Sequence, residues 1–119
     1  MSQLFDKAVF HLLGAELGEA DAIEVLGAFL ADTAGKMERL AASGENRPLI
    51  KREAHSIKSS AATFGFEDLS RLARELESGA ETMPAAKLQE SIGELRRSFE
   101  TTRQFAQTDL LHTSPRTAT

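Results

Sequence analysis

The sequence contains no cysteine, no tryptophan and no tyrosine. Without cysteine, the chain has no disulfide framework, no thiolate nucleophile and no cysteine-based zinc site. No apolar run approaches the ~20 residues of a membrane-spanning helix, so no membrane partner is expected. A net charge of −4 argues against a nucleic acid as the partner. These absences exclude disulfide-rich, thiol-dependent and membrane-spanning proteins.

The sequence does contain enough apolar material for one folded domain. Its length of 119 residues is that of a single domain, and 41% of its residues are hydrophobic, which is sufficient for a core. Seven phenylalanines supply all of the aromatic packing. The first six residues, Met-Ser-Gln-Leu-Phe-Asp, lack the basic and apolar regions of a signal peptide, so a cytoplasmic protein is expected.

Apolar residues recur at helical spacing along most of the chain. The pattern predicts five helices, at about 3–14, 20–42, 48–64, 66–78 and 84–107. Short loops between four strongly amphipathic helices imply an all-α fold, an antiparallel up-down four-helix bundle with an additional N-terminal capping helix. Residues 1–108 would form this bundle, and the threonine-rich segment 109–119 is expected to be disordered. An intermolecular coiled coil has a similar period, but the short glycine-containing breaks favour folding back within one chain, hence a monomer.

The third predicted helix carries a histidine on its wet side. Its apolar positions, with gaps of four, three, four and three, are Ile50, Ala54, Ile57, Ala61 and Phe64. At about 100° per residue, His55 lies about 160° from Ile57 and points away from this stripe. The residues within about 60° of His55 on the helical wheel are Lys51, Lys58, Ser59 and Ala62, with Arg52 at the edge of that sector. A partner surface can therefore approach an imidazole that is flanked by cations and small side chains.

The segment from Ala54 to Gly65, with the helix that follows it, resembles histidine-containing phosphotransfer (HPt) domains. The positions that match this family's pattern are His55, Lys58, Gly65, Leu69, Leu76 and Glu77, while Ile57 replaces the usual leucine. The resemblance covers roughly residues 4–106. Ser59 departs from the pattern, because the family usually has glycine four residues after the histidine. Because serine is still small, this change does not affect the resemblance to the family. It bears on the transfer rate and on the choice of partner.

The resemblance implies a relay protein that accepts a phosphoryl group on His55 from a receiver-domain aspartate and passes it to another receiver. Neutral imidazole is available near neutral pH as a nucleophile, and Lys58 would place its ammonium beside the phosphoryl oxygens. Lys51 and Arg52 would add weaker electrostatic support. The remaining docking patch is predicted from small or apolar residues: Ser56, Ser59, Ala62 and Phe64.

The rest of the phosphoryl-transfer machinery is missing from the sequence. There is no glycine-rich phosphate loop of the Gly-Lys-Ser/Thr type and no clustered acidic site for a metal. Because phosphoryl transfer depends on positioning and charge stabilisation, Mg²⁺ and the acidic pocket are expected from the partner. The resemblance implies receiver domains of a hybrid histidine kinase and of a downstream regulator, with no cofactor of the chain's own and no ATP-dependent kinase activity.

Two other classes of function compete with this interpretation. A lone histidine on a helix surface usually has no function, and some HPt-like bundles are inert adaptors that dock signalling proteins without being phosphorylated. The intact pair of His55 and Lys58 argues against an inert copy, which needs neither residue. A di-iron bundle enzyme would need Glu-x-x-His pairs, and the sequence has none.

Overall fold

Five α-helices form most of residues 3–111, the part of the chain that this computed structural model describes. They are α1 (Lys7–Leu17), α2 (Glu19–Ala41), α3 (Arg47–Phe64), α4 (Glu67–Gly79) and α5 (Ala85–Phe105), followed by a π-helical segment, Ala106–Leu111. The predicted all-α fold is confirmed, and no strand occurs among the described residues. None of the helices in this part is long and apolar enough to cross a membrane.

Helices α2 to α5 surround a common core. Helix α3 packs against α2 and α4, and α5 closes the arrangement by contacting α4 and α2, as in an up-down four-helix bundle. The apolar stripe predicted for α3 is entirely buried. The rings of Phe29 and Phe64 lie 4.9 Å apart and those of Phe29 and Phe66 lie 5.7 Å apart. This aromatic cluster joins α2 to the connection between α3 and α4.

The ends of α3 follow from its capping residues. Asn46 accepts a hydrogen bond from the backbone N–H of Leu49 at 3.3 Å, which satisfies one of the free donors of the first turn. At the other end Gly65 has φ 84° and ψ 16°, the left-handed conformation that glycine adopts without a Cβ clash. The N–H of Phe66 then bonds the carbonyl of Ala61 at 2.9 Å, as in a Schellman motif.

Helix α1 begins later in the chain than predicted. The side chain of Asp6 accepts a hydrogen bond from the N–H of Ala8 at 3.0 Å, and this cap starts the helix at Lys7 instead of residue 3. Phe5 therefore precedes the helix, and its ring packs 5.5 Å from that of Phe66. No residue of α1 is buried, and Leu12 is 67% exposed. The helix lies against α2 and α3 with much of its surface open to solvent.

The C-terminal end of the bundle also differs from the prediction. Helical structure continues through Leu111, beyond the boundary near residue 107 and three residues into the segment expected to be disordered. Leu110 and Leu111 are partly buried against the core, which explains why the chain stays helical here. The rest of the predicted tail, residues 112–119, lies outside the described residues.

Candidate functional site

His55 lies in the middle of α3 on the face opposite the core. Its side chain is 61% exposed, whereas Ala54 and Ile57 on either side of it are fully buried. The helical period therefore directs the imidazole to solvent, as the sequence predicts. Because α3 is anchored by its buried stripe, the exposed ring stands on a fixed backbone.

A carboxylate from α4 joins the two residues predicted to carry the chemistry. Oε2 of Glu77 lies 2.7 Å from Nδ1 of His55, and Oε1 of the same carboxylate lies 2.7 Å from Nζ of Lys58. The hydroxyl of Ser70, two turns earlier on α4, donates to the backbone carbonyl of Lys58 at 3.0 Å. These contacts fix the register of α4 against α3 at the level of the histidine.

The contact with Glu77 determines which ring nitrogen faces outward with a lone pair. An ionised carboxylate only accepts hydrogen bonds, so the bond at Nδ1 requires an Nδ1–H donor. The neutral ring then carries its lone pair on Nε2. The hydrogen bond from Lys58, and secondarily the one from His55, lowers the pKa of Glu77, although desolvation of the carboxyl opposes the shift. Glu77 is therefore held in the ionised form that this arrangement needs.

Glu77 is a site residue that the spacing around His55 does not predict. In the sequence it belongs to the leucine-glutamate match on the following helix, 22 positions after His55. No spacing within one helix connects the two, because their contact depends on the alignment of α3 with α4. The signal available in the sequence was the family match itself, which placed a carboxylate at this position.

The other predicted binding residues are distributed around the exposed face of α3. Lys51 is exposed and its ammonium lies 3.5 Å from a carboxylate oxygen of Glu81. Arg52, Ser59 and Ala62 are exposed and Ser56 is half-buried, so their positions are compatible with contact to a partner. Their roles in binding stay predictions.

Phe64 was assigned to the docking patch, and this prediction is wrong. Its side chain is only 6% exposed, because the last turn of α3 packs its ring against Phe29. The same residue was also predicted to belong to the apolar stripe, and that part is confirmed. Exposed apolar surface near this end of α3 comes instead from α1, where Val9, Leu12 and Leu13 line an open depression together with Thr63.

No metal site accompanies this arrangement in the described part of the chain. Within residues 3–111, no group of three or more histidine, aspartate or glutamate side chains is placed to hold a metal ion. What the geometry offers is an oriented imidazole with an ammonium group beside it. A helical bundle of this kind defines a class of protein in which a surface histidine can carry a chemical group.

Comparisons with known proteins agree with this class. The family model for the Hpt domain matches residues 24–105, so the chain belongs to the Hpt domain family and functions in histidine phosphotransfer. Hpt domains interact with receiver domains in phosphorelays. A crystal structure of histidine-containing phosphotransfer protein B (HptB) from Pseudomonas aeruginosa PAO1 superimposes with a TM-score of 0.82 at 22% identity, over 92% of this chain and 96% of that one. This likeness shows the fold. No curated protein matches the sequence significantly.

Proposed function

We propose that His55 is the phosphoacceptor, and that Nε2 takes the phosphoryl group from a receiver-domain aspartate and later gives it to another receiver. The observation that supports this proposal is the 2.7 Å contact between Nδ1 and Glu77. It leaves the nucleophilic nitrogen on the solvent side of an imidazole that is 61% exposed. An aspartyl phosphate on a second protein can reach this position.

In the transfer step, the lone pair of Nε2 attacks phosphorus while the bond between phosphorus and the aspartyl oxygen breaks. The electron pair of that bond returns to the aspartate carboxylate. The ring keeps its Nδ1 proton and becomes positively charged, and the carboxylate of Glu77 stabilises this charge. The reverse sequence at a second aspartate restores the neutral ring, so the chain carries the phosphoryl group without being consumed.

Lys58 supplies positive charge where the phosphoryl oxygens arrive. Its side chain is 29% exposed and is held by Glu77 in the resting protein. A lysine ammonium is a compact charge on a flexible stem, so it can turn from the carboxylate to the phosphoryl group. Lys51 and Arg52 act at longer range, and the small side chains of Ser59 and Ala62 let the partner approach.

The receiver domain supplies Mg²⁺ and the acidic pocket, which this chain does not need to carry itself. The proposed partners are the receiver domains of a hybrid histidine kinase and of a downstream regulator. We also propose that the protein acts as a monomer in the cytoplasm, in keeping with its closed bundle.

A transfer assay tests the proposal. The purified chain is incubated with receiver domains that carry labelled aspartyl phosphate, as the wild type, as His55→Gln and as His11→Gln. His11 is an exposed histidine on α1 and serves as the matched control. We expect acid-labile, base-stable label on the wild type and on His11→Gln but none on His55→Gln, and ¹⁵N NMR should place the phosphoryl group on Nε2.

Two results would contradict this function. Label on His55→Gln would place the acceptor elsewhere. Binding of receivers to a folded wild-type chain without any label would support the inert adaptor instead.

A further inference from the structure

A cavity of about 410 Å³ opens beside the His55 face, where α1, α3 and α4 meet. Ala62, seven residues after His55 and therefore on the same face of α3, forms part of its wall together with Val9 and Gly65. Arg74 of α4 lies at the same cavity. Ser70, Arg71 and the carboxylate of Glu67 complete its lining. The cavity thus combines small and apolar walls with charges of both signs, about two helical turns from the proposed phosphoacceptor.

Arg74 belongs to the stripe of α4 that faces α3. Ser70, Arg74 and Glu77 are spaced by four and three residues, which places them on one side of the helix. Ser70 bonds the backbone of Lys58 and Glu77 bonds its ammonium. Arg74 lies between these two contacts in the sequence, one turn from the carboxylate that orients His55.

Within residues 3–111 the guanidinium of Arg74 has no counter-ion, in contrast to Lys58 and Arg71. Lys58 is paired with Glu77, and Arg71 is paired with Asp68 and Glu75. Among the described residues, Arg74 makes no hydrogen bond or ion pair, and it is exposed. An uncompensated guanidinium next to a cavity in a chain of net charge −4 is a site at which a partner carboxylate gains an ion pair without displacing an internal one.

We propose that Arg74 is a docking residue, whose guanidinium binds a carboxylate at the rim of the receiver domain while an adjoining partner side chain enters the cavity. The proposal rests on the proposed function, because it takes the receiver as the occupant. Charge complementarity supports this choice. A protein that holds Mg²⁺ beside its phosphorylated aspartate needs carboxylate ligands there, so its rim presents negative charge to the histidine-bearing face.

Binding of a receiver to His55→Gln tests the docking role without requiring transfer. The dissociation constant is measured by titration in this background, alone and combined with Arg74→Glu, Arg74→Lys or Arg96→Glu. Arg96 is an exposed arginine on α5 at the groove between α2 and α5, so its reversal changes net charge equally. We expect Arg74→Glu to weaken binding about tenfold at low salt, Arg74→Lys about twofold and Arg96→Glu less than twofold, with the differences shrinking at high salt.

The transfer assay on chains with an intact His55 supplies the second readout. Arg74→Glu should raise the receiver concentration that gives half-maximal transfer and leave the maximal rate within about twofold.

Equal binding by Arg74→Glu and Arg96→Glu would overturn the docking role and leave the proposed function standing. A lower maximal rate at unchanged affinity would also overturn it, because the guanidinium would then act on the phosphoryl group. Weakened binding by Arg74→Glu with no transfer to the wild type would support docking and contradict the proposed function. Melting curves and CD spectra check that each variant is folded, and Arg74→Gln replaces the reversal if it is not.

Discussion

The two faces of α3 show how one helix serves two purposes. Ala54 is fully buried and the next residue, His55, is 61% exposed on its side chain. On the buried face, packing against α2 and α4 decides which side chains fit. On the open face, a single carboxylate from α4 orients the imidazole and the ammonium. Stability and chemistry therefore depend on different residues of the same 18-residue helix.

This division implies that substitutions on the two faces have separable effects. A change on the buried face should lower the free energy of unfolding and should affect transfer only through loss of the fold. A change on the open face should alter transfer at nearly constant stability, because exposed groups contribute little to folding.

The largest expected effect is that of Phe64→Ala on the buried face. Phe64 is 6% exposed and packs on Phe29, so truncation should lower the free energy of unfolding by about 3–5 kcal/mol. Ser59→Ala on the open face serves as the control and should change it by less than about 0.5 kcal/mol. Urea denaturation measures both values. A loss of under 1 kcal/mol for Phe64→Ala would show that the ring is not packed.

Gly65→Ala should have the next largest effect, because it affects the end of α3 in two ways. The glycine has a positive φ, and an added Cβ would lie 2.6 Å from the backbone oxygen of Asp6. Left-handed strain contributes about 1–2 kcal/mol and the clash about 1–3 kcal/mol more. Gly44 also has a positive φ, but no atom lies within 4 Å of its added Cβ. Gly44→Ala therefore isolates the strain. Equal losses of stability for the two variants in thermal unfolding would show that the close approach of the Asp6 backbone does not contribute.

On the open face, Lys58→Ala should slow transfer by about tenfold, equivalent to about 1.4 kcal/mol, because the ammonium no longer stabilises the phosphoryl oxygens. Lys51→Ala is the matched control, one turn before His55 and paired with Glu81, and its effect should be under about threefold. Rapid-quench measurement of labelled protein gives both rates. Equal slowing by the two substitutions would mean that general electrostatic attraction, and not a local contact, explains the effect of Lys58.

The smallest expected effect is the pH-dependent loss of stability caused by Glu77→Gln. Its pKa is lowered from the ordinary 4.5 by the hydrogen bonds from Lys58 and His55. The ionised carboxylate therefore stabilises the folded state fully above pH 4.5, and this contribution is lost as the pH falls through the lower folded-state pKa. Glu77→Gln should be less stable than the wild type by under about 1 kcal/mol near pH 6. Denaturation curves between pH 6 and 3 should show the difference disappearing, whereas a constant difference would contradict the ion-pair account. Glu81→Gln, at an exposed carboxylate, is the control and should show a smaller difference.

Much of this architecture could be predicted because the apolar period is local. Gaps of four and three residues identified the helices and located the buried stripe of α3, since each side chain's direction follows from the geometry of one helix. Asn46 and Gly65 end α3 for equally local reasons, because each caps the turn beside it. Helix α1 was less predictable, because its apolar residues are only partly buried and the cap at Asp6 sets its start.

The sequence by itself determined the helical bundle, the solvent-facing position of His55 and the ammonium of Lys58 one turn away, because these depend on spacing within single helices. Tertiary structure alone decided that Glu77 joins the two residues and that Arg74 lies beside an open cavity. Each of these depends on how α3, α4 and α1 align. That alignment results from packing of the whole core, so it cannot be predicted from residue spacing along one helix.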